Sequence, residues 1–378
     1  MNKIFDAVII AIAATLLTAT AGAQQAKQVT TRPAQASAAK AWQAKIPTFE
    51  QFARRHDRDK DGDVTRDEYQ GPALLFRLAD RDSDGAVTKA EYNAATARLR
   101  KARQGSPKRP GWGRKPPQGV KAIRNVEYAK VDGLSLKLDL YVPEKSDANR
   151  PLLVWIHGGG WTKGSKNGVN ASMLRLTREG YAVASIDYRL TGLQSHPKQI
   201  HDCKGAIRFL RANAAKYGYD ATRIGVGGGS AGGHLVLLLG TSGGVNELEG
   251  TVGGNLNQSS KVQAVLDLYG PSDLTLFGKR NRHFAQGKLA KMAKAVSPVT
   301  YISKDDPPLM ILQGDKDPLV PMIQSVHMHE LYRKAGLDSS LHIIKGASHG
   351  GIQFIDATRS ALVKEFFDKH IRPNAAKP

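Results

Sequence analysis

Beyond about residue 125, short apolar runs alternate with amphipathic stretches of helical length. Residues 126–128 and 136–142 alternate apolar and polar positions around Asp132-Gly133, which predicts an antiparallel strand pair. Later runs are apolar throughout, as is typical of strands covered on both faces of a parallel sheet. These runs are residues 152–156, 182–186, 224–226, 262–268, 309–312 and 341–344. Because helical stretches such as residues 201–217 separate them, the pattern predicts an α/β fold with a mainly parallel sheet flanked by helices.

The first 124 residues have a different pattern and predict several separate segments. Lys3, the apolar residues 7–17 and the small residues 21–23 are typical of a cleavable secretory signal peptide, with an apolar run too short to span a membrane. The predicted organisation is a signal peptide (1–23), a flexible tether (24–47), a compact module (48–100), a linker (101–124), the large domain (125–372) and a tail (373–378). The signal peptide predicts a secreted or periplasmic protein, with cleavage after Ala23.

Composition and charge exclude some classes of protein and indicate which partners to expect. The chain has 378 residues, of which 41% are hydrophobic, so a large folded core is expected and a collagen-like or wholly disordered chain is excluded. Cys203 is the single cysteine, which excludes an intramolecular disulfide and a cysteine-based zinc cluster. The net charge is +21, and ten Lys or Arg residues lie between Arg98 and Arg124 together with several prolines. We expect this basic linker to be extended and able to attract an anionic surface or glycan, whereas the scarcity of interleaved aromatic residues disfavours nucleic acid.

Two acidic loops in the compact module predict metal binding. The loops begin at Asp57 and Asp80, 23 residues apart, and each places oxygen ligands at positions 1, 3, 5, 9 and 12 around a glycine at position 6. Calcium prefers six to eight hard oxygen ligands, including both oxygens of the twelfth-position glutamate and the backbone carbonyl of position 7. The predicted ligands are Asp57, Asp59, Asp61, Asp63, Thr65 and Glu68 in the first loop, and Asp80, Asp82, Asp84, Ala86, Thr88 and Glu91 in the second. Val64 and Val87, at position 8, are expected to form a short strand contact.

The loops resemble the compact EF-hand pairs attached to many secreted bacterial proteins. This resemblance implies a small α-helical EF-hand module with two calcium sites. The short connection between the loops leaves little helix to swing open, so we expect a structural role for calcium and none in catalysis.

A nucleophilic serine is predicted in the large domain. Gly228-Gly229-Ser230-Ala231-Gly232 is a Gly-x-Ser-x-Gly sequence between a predicted strand and a helix, as a nucleophile elbow requires. A serine needs a base to take its proton and an acid to orient that base. Asp317 and His349 follow the last two predicted strands, in the order Ser, Asp, His that this arrangement uses. Asp315 is the alternative acid, but the surrounding Gly-x-x-Asp-x-x-Val spacing favours Asp317.

Donors for an oxyanion are predicted after the first buried strand. In His157-Gly158-Gly159-Gly160, adjacent glycines leave backbone N–H groups unshielded. We expect the N–H groups of Gly159, Gly160 and Ala231 to hold the oxyanion, with Trp161 as an alternative donor. A phosphate-binding loop is disfavoured because no Lys-Ser/Thr follows the glycines. Further residues are expected to pack or to support the site; they are His157, His201, Cys203 and His234.

Residues 125–371 resemble the α/β-hydrolase carboxylesterases, in particular the feruloyl-esterase-like and acetylesterase-like branch near the hormone-sensitive-lipase group. The motifs that carry the resemblance include His157-Gly-Gly-Gly-Trp161, Asp187-Tyr-Arg189, Gly229-Ser-Ala-Gly-Gly-His234, residues 314–321 and residues 346–350. The resemblance implies an α/β-hydrolase fold and hydrolysis of short-acyl or aryl esters, such as acetyl or feruloyl groups on polysaccharides. Two alternatives stay open: an amidase or peptidase that uses the same triad, and a calcium-dependent binding protein with an inactive hydrolase domain.

Overall fold

The computed structural model describes residues 48–69, 76, 79–105, 116–145, 147, 149–277 and 291–372. The chain divides into two compact units, Met1–Pro110 and Gly111–Pro378. The predicted signal peptide, tether and C-terminal tail lie outside the described residues. Within the described part of the chain, no helix has the length and apolar content needed to cross a membrane.

The described residues of the first unit include two helices with defined bounds and a short strand pair. These elements are α1 (Phe49–His56), β1 (Val64–Thr65), β2 (Ala86–Val87) and α2 (Lys89–Gly105). Thr48 begins α1 with a capping box, in which its hydroxyl oxygen accepts the N–H of Gln51 while the Gln51 side chain accepts the N–H of Thr48. A small aromatic core joins the elements, with Phe49, Phe76, Val87 and Tyr92 buried.

The predicted linker of residues 101–124 overlaps a helix of the first unit and a strand of the second. Helix α2 continues to Gly105, and the first strand of the second unit already begins at Val120. The helix continues because residues 94–103 are mostly Ala, Arg and Lys, which favour helix, with no glycine or proline among them. The strand begins early because it lies at the edge of the sheet, where charged side chains such as Lys121 reach solvent.

An eight-stranded sheet forms the centre of the second unit. Its strands are β3 (Val120–Val131), β4 (Leu134–Pro143), β5 (Leu152–Ile156), β6 (Ala182–Ile186), β7 (Ile224–Gly229), β8 (Ala264–Leu268), β9 (Leu309–Gly314) and β10 (Ser339–Ile344). The spatial order is β10-β9-β8-β7-β5-β6-β4-β3. Strand β4 runs antiparallel to β3 and β6, and the other neighbours are parallel. The predicted antiparallel pair and the mainly parallel sheet are therefore both present.

Helices cover both faces of this sheet. The α-helices in the described ranges are α3 (Ala171–Arg175), α4 (Lys198–Ala212), α5 (Ala214–Tyr217), α6 (Ala231–Thr241), α7 (Asn246–Glu249), α8 (Leu274–Phe277), α9 (Ile323–Lys334) and α10 (Ala357–Ile371). Alternate residues of β5 enter two separate apolar cores. Val154 packs in a cluster with Ile207 of α4 and Leu238 of α6, whereas Leu153 packs in a cluster with Phe367 of α10. Apolar runs without alternation therefore arise from a sheet covered on both faces.

The parallel strands bring the predicted catalytic residues to one edge of the sheet. Ser230 follows β7, Asp317 follows β9 and His349 follows β10. Because β7, β8, β9 and β10 are neighbours and run in the same direction, their carboxyl ends lie together. Ligands and catalytic groups of open α/β sheets are found at this end of the strands.

Candidate active site and paired acidic loops

Ser230 lies on a sharp turn between β7 and α6. Its backbone has a φ of 56° and a ψ of −120°, which is strained for a residue with a side chain. Small neighbours make the turn possible. A β-carbon on Gly228 would lie 2.3 Å from the carbonyl oxygen of Gly232, and one on Gly232 would lie 2.1 Å from that of Ile156. The glycines of the Gly-x-Ser-x-Gly sequence are therefore required by the close approach of strand and helix.

The three residues of the predicted triad form a continuous chain of hydrogen bonds. His349 Nε2 lies 2.8 Å from Ser230 Oγ, and His349 Nδ1 lies 2.7 Å from Asp317 Oδ2. Because a carboxylate only accepts hydrogen bonds, Nδ1 carries the imidazole proton and Nε2 is free to accept the serine hydroxyl. Asp315 is directed elsewhere, since its Oδ1 accepts the N–H of Gly346 at 2.6 Å. The geometry therefore brings together Ser230, Asp317 and His349 and leaves out Asp315.

The acid and the base have supports that the sequence prediction did not include. The Asp317 side chain is fully buried, and its Oδ1 accepts the N–H groups of Leu319 at 2.8 Å and Val320 at 2.9 Å. Gln313, at the end of β9, donates a hydrogen bond from Nε2 to Asp317 Oδ2 at 3.3 Å. The ring of Tyr269 packs edge-on against His349, with centroids 4.7 Å apart. The signal in the sequence was a polar residue that directly follows the apolar run 309–312, four residues before the acid.

The predicted oxyanion loop, residues 157–161, packs against the nucleophile turn. Gly159, Gly160 and Trp161 have φ angles of 120°, 60° and 59°. A β-carbon on Gly159 would lie 2.2 Å from the carbonyl oxygen of Lys163, so a side chain is excluded there. Among the described residues, no hydrogen bond uses the N–H groups of Gly159, Gly160, Trp161 or Ala231. These donors are therefore available to a ligand, and the geometry does not choose between Gly160 and Trp161.

Other residues that the sequence analysis singled out are part of the surrounding structure. His157 is stacked on Tyr188 with ring centroids 4.4 Å apart, and burial lowers the pKa of this histidine. His201 Nε2 lies 3.0 Å from the carbonyl oxygen of Glu247. Cys203 is completely buried in the core, and burial raises the pKa of its thiol. None of these contacts includes a triad residue.

A buried carboxyl group lies behind the nucleophile turn. Asp267, on β8, accepts the N–H of Gly270 through Oδ1 at 2.8 Å, and a β-carbon on Gly233 would lie 2.3 Å from the same oxygen. Asp267 Oδ2 is buried without a hydrogen-bond partner among the described residues. Complete burial raises the pKa of Asp267 to about 7. The carboxyl group is therefore neutral over much of the acidic range.

The two acidic loops of the first unit have matching geometry. In each, three aspartates bring one carboxylate oxygen apiece to within 4.8 Å of one another. The sets are Asp57, Asp59 and Asp61 in the first loop and Asp80, Asp82 and Asp84 in the second. The twelfth-position carboxylates close the loops, because Glu68 Oε1 accepts the N–H of Arg58 at 2.8 Å and Glu91 Oε1 accepts that of Arg81 at 2.8 Å.

The loops contact each other through β1 and β2. Val64 pairs with Val87, so the predicted strand contact is present. The position-9 hydroxyls point toward the glutamates: Thr65 Oγ1 donates to Glu68 Oε2 at 2.7 Å and Thr88 Oγ1 donates to Glu91 Oε2 at 3.0 Å. Asp63 and Ala86 occupy position 7, where the backbone carbonyl is the predicted ligand atom. Asp80, at position 1 of the second loop, is 7% exposed, and its Oδ1 has no hydrogen-bond partner in the described structure.

One protein family matches the central part of the chain. The family model described as BD-FAE matches residues 138–332, which is just over half of the chain and includes Ser230 and Asp317. The chain belongs to the BD-FAE family. Esterase LipQ of Mycobacterium tuberculosis is 32% identical over an alignment of 230 residues, and the match covers 57% of this chain and 53% of that protein. The chain spans about half the length of the curated relatives it matches.

Solved structures similar to this chain are esterases. A truncated carbohydrate esterase from gut microbiota is 31% identical, with a TM-score of 0.61 over 67% of this chain and 98% of its own. A thermophilic esterase from Thermogutta terrifontis, solved with propionate bound, is 28% identical, with a TM-score of 0.57 over 67% of this chain and 94% of its own. The second unit is thus a hydrolase domain with the α/β-hydrolase fold, as the resemblance predicted, and its relatives are named carboxylic ester hydrolases.

Proposed function

We propose that the second unit hydrolyses carboxylic esters through an acyl-enzyme formed on Ser230. The observation that carries the proposal is the chain of hydrogen bonds from Ser230 Oγ through His349 to the buried Asp317, at 2.8 and 2.7 Å. Such a chain lets an ordinarily weak serine nucleophile lose its proton as it attacks. The esterase names of the similar proteins and structures support the same reaction.

The proposed reaction has two halves. Ser230 Oγ attacks the acyl carbon, and its proton passes to His349 Nε2 while the carbonyl oxygen becomes an oxyanion. The N–H groups of Gly159, Gly160 and Ala231 stabilise that oxyanion. His349 then gives the proton to the leaving alcohol, which completes the first half. In the second half a water molecule attacks the acyl-enzyme, His349 takes a proton from the water, and Ser230 receives a proton as the carboxylic acid leaves.

We propose short-acyl or aryl esters as the substrate class, including acetyl or feruloyl groups carried on polysaccharides. Support comes from the carbohydrate esterase and from the propionate-bound esterase among the similar structures. A buried apolar cluster that includes Leu274, Ala293 and Val296 packs against Trp161, beside the predicted oxyanion loop. Nitrophenyl esters of increasing acyl length, compared with acetylated xylan, measure this preference directly.

The test of the reaction is the variant Ser230→Ala. Loss of a triad nucleophile costs on the order of a million-fold in turnover, so ester hydrolysis should fall to background. Ser348→Ala, next to His349, is the matched control and should keep its activity. A folded Ser230→Ala protein that retains a tenth of the wild-type rate refutes the assignment. Faster cleavage of a matched nitroanilide than of the ester would instead favour the amidase alternative.

We further propose that the paired acidic loops are EF-hand calcium sites. Each loop gathers three aspartates and a glutamate, which are the hard oxygen ligands that calcium prefers. The buried Asp80 Oδ1, which lacks a partner among the described residues, is a polar atom that a bound cation would satisfy. The ion would add folding energy to the first unit, and it supplies no step of the ester hydrolysis.

We also propose that the protein is exported and adsorbs to anionic surfaces through its basic linker. The support is the sequence of residues 1–23 and the ten positive charges between Arg98 and Arg124. Salt at 1 M shortens the screening length to about 3 Å and should release the protein from a heparin or pectin resin. Retention that is unchanged by neutral replacement of these ten residues contradicts the adsorption proposal.

A further inference from the structure

His234 connects the nucleophile helix to the predicted oxyanion loop. It lies four residues after Ser230 on α6, and its side chain has no exposed surface. Both ring nitrogens have partners. Nδ1 lies 3.2 Å from Trp161 Nε1, and Nε2 lies 2.7 Å from the carbonyl oxygen of Val296. His234 therefore bridges two segments that the chain places far apart in sequence.

These partners fix the protonation of the ring. The indole N–H of Trp161 can only donate and the carbonyl oxygen of Val296 can only accept. His234 must therefore carry its proton on Nε2 and present a lone pair at Nδ1, which is one tautomer of the neutral ring. A second proton would point at the indole N–H, and complete burial lowers the pKa of His234 to about 4. The ring thus keeps the same hydrogen bonds at neutral pH.

Trp161 is the residue through which this bridge reaches the oxyanion loop. It follows Gly160 directly and has a φ of 59°, which a residue with a side chain rarely adopts without support. Its indole ring lies perpendicular to the His234 ring, with centroids 5.3 Å apart. The carbonyl oxygen of Trp161 also accepts the N–H of Gly192 at 3.1 Å. The indole is therefore held both by a hydrogen bond and by an edge-to-face contact.

Further hydrogen bonds hold the segment that contains Val296, whose carbonyl oxygen is the partner of His234 Nε2. Val296 is completely buried, and the neighbouring Ser297 hydroxyl accepts the N–H of Leu274 at 2.8 Å and donates to the carbonyl oxygen of Ala293 at 2.6 Å. The acceptor that orients His234 thus belongs to a hydrogen-bonded segment beside the active site. Because both ring nitrogens of His234 have hydrogen-bond partners, the ring is held in place and in turn fixes the position of the Trp161 indole.

We propose that His234, as the neutral Nε2–H tautomer, is a positioning residue that holds Trp161 and with it the oxyanion loop in register with Ser230. The inference rests on the proposed esterase function. His234 itself has no described contact with Ser230 Oγ, Asp317 or His349 and acts through Trp161. Loss of the bridge should displace the oxyanion donors, which act mainly in the transition state, and should affect kcat more than KM.

The experiment compares three variants of the full-length protein on a short-chain nitrophenyl ester. His234→Leu removes both hydrogen bonds, Trp161→Phe removes only the indole donor, and His234→Gln keeps one donor and one acceptor. Because removal of an oxyanion donor costs about 100- to 1,000-fold, partial displacement should lower kcat by roughly 10- to 100-fold, with KM changed less than about threefold. The glutamine variant should recover at least a tenth of the wild-type kcat.

A double variant and a control variant distinguish a positioning role of His234 from a general loss of stability. In the double variant of Trp161→Phe and His234→Leu, the two losses should not multiply, because both remove the same bridge. Val236→Ala, a buried truncation on the same helix, should lower the unfolding temperature and leave kcat near wild type. NMR spectra that correlate ring protons with ring nitrogens report the tautomer of His234. The wild-type signals that are absent from the spectrum of His234→Gln belong to this ring, and they should show a protonated Nε2 and an unprotonated Nδ1.

Two outcomes would contradict the positioning role of His234 without contradicting the proposed esterase function. One is a folded His234→Leu protein with wild-type kcat, and the other is a protonated Nδ1 in the resting protein. Should His234→Leu fail to fold, Trp161→Phe decides, and full kcat in that variant contradicts the positioning role. Absence of ester turnover in the wild-type protein would instead overturn the proposed function itself.

Discussion

A β-carbon on Gly158 would lie 2.6 Å from the carbonyl oxygen of Gly229, so the oxyanion loop and the nucleophile turn meet backbone to backbone. The same added atom would lie 3.3 Å from the β-carbon of Ser230. The distance between Ser230 and the predicted oxyanion donors is therefore set by a close backbone contact at Gly158, where a side chain would not fit. If these residues act as proposed, the spacing at Gly158 matters for ester hydrolysis together with the triad.

Gly158→Ala should lower ester turnover by about 100-fold, because the methyl group can be accommodated only if the loop moves away from Ser230. Gly168→Ala is the matched control in the same region, since a β-carbon there has no neighbouring atom within 4 Å. Both variants are measured by kcat on a nitrophenyl ester and by unfolding temperature. Wild-type turnover in a folded Gly158→Ala protein would show that the loop does not supply the oxyanion donors.

Asp317→Asn should lower kcat by about 10,000-fold, since an amide in place of the carboxylate favours the wrong tautomer of His349. Asp315→Asn is the control two residues away; its carboxylate accepts the N–H of Gly346 and does not reach the histidine. Its kcat should stay within a few-fold of wild type. If the two variants exchange these results, Asp315 is the acid and the hydrogen bond from His349 to Asp317 is not the one used in catalysis.

Much of this arrangement could be predicted from the sequence, for identifiable reasons. The triad, the elbow and the glycine loop are local motifs at the ends of apolar strands, so their order in the chain indicated their meeting place. The hydrogen bond from Gln313 to Asp317 was not predicted, because it depends on how the chain turns between these two residues. The bridge from His234 to Trp161 was not predicted, because it joins segments distant in sequence. The linker boundaries differed because a polar edge strand and a basic helix lack the strong apolar signal of the core elements.

The buried carboxyl group of Asp267 should make stability depend on pH. Burial raises its pKa to about 7, above the unfolded value near 3.9, so the folded chain holds a proton that the unfolded chain releases between these pH values. This contribution stabilises the fold at low pH and is lost as the pH rises toward 7. Asp267→Asn removes it. Between pH 5 and 8, the free energy of unfolding of wild type should therefore fall relative to the variant by about 2–3 kcal/mol.

Denaturant titrations of the catalytic unit at the two pH values measure this difference. Asp132→Asn, an exposed aspartate in the turn between β3 and β4, is the matched control and should show no such trend. A wild-type protein that gains stability relative to Asp267→Asn between pH 5 and 8 would mean that Asp267 is ionised in the folded state.

Calcium removal should destabilise the first unit and leave catalysis unchanged. Without the ion, the carboxylates gathered within 4.8 Å repel one another, whereas a bound ion contributes about 2.7 kcal/mol to folding at one hundred times its Kd. A chelator should therefore lower the unfolding temperature and protease resistance of residues 48–100, and Glu68→Gln with Glu91→Gln should do the same. Asp67→Asn, beside Glu68 but at a non-ligand position, should keep calcium binding. Loss of small-ester hydrolysis on chelation would contradict the separate roles of the two units.

Covalent labelling tests most directly whether Ser230 is the nucleophile of an ester hydrolase. The full-length protein is treated with a fluorophosphonate, and the labelled site is found by mass spectrometry of its peptides. One label per chain on the peptide that contains Ser230, lost in Ser230→Ala, together with complete loss of ester turnover, is the predicted result. An active enzyme that is labelled at another residue, or that hydrolyses esters at the full rate after Ser230 is labelled, would contradict it.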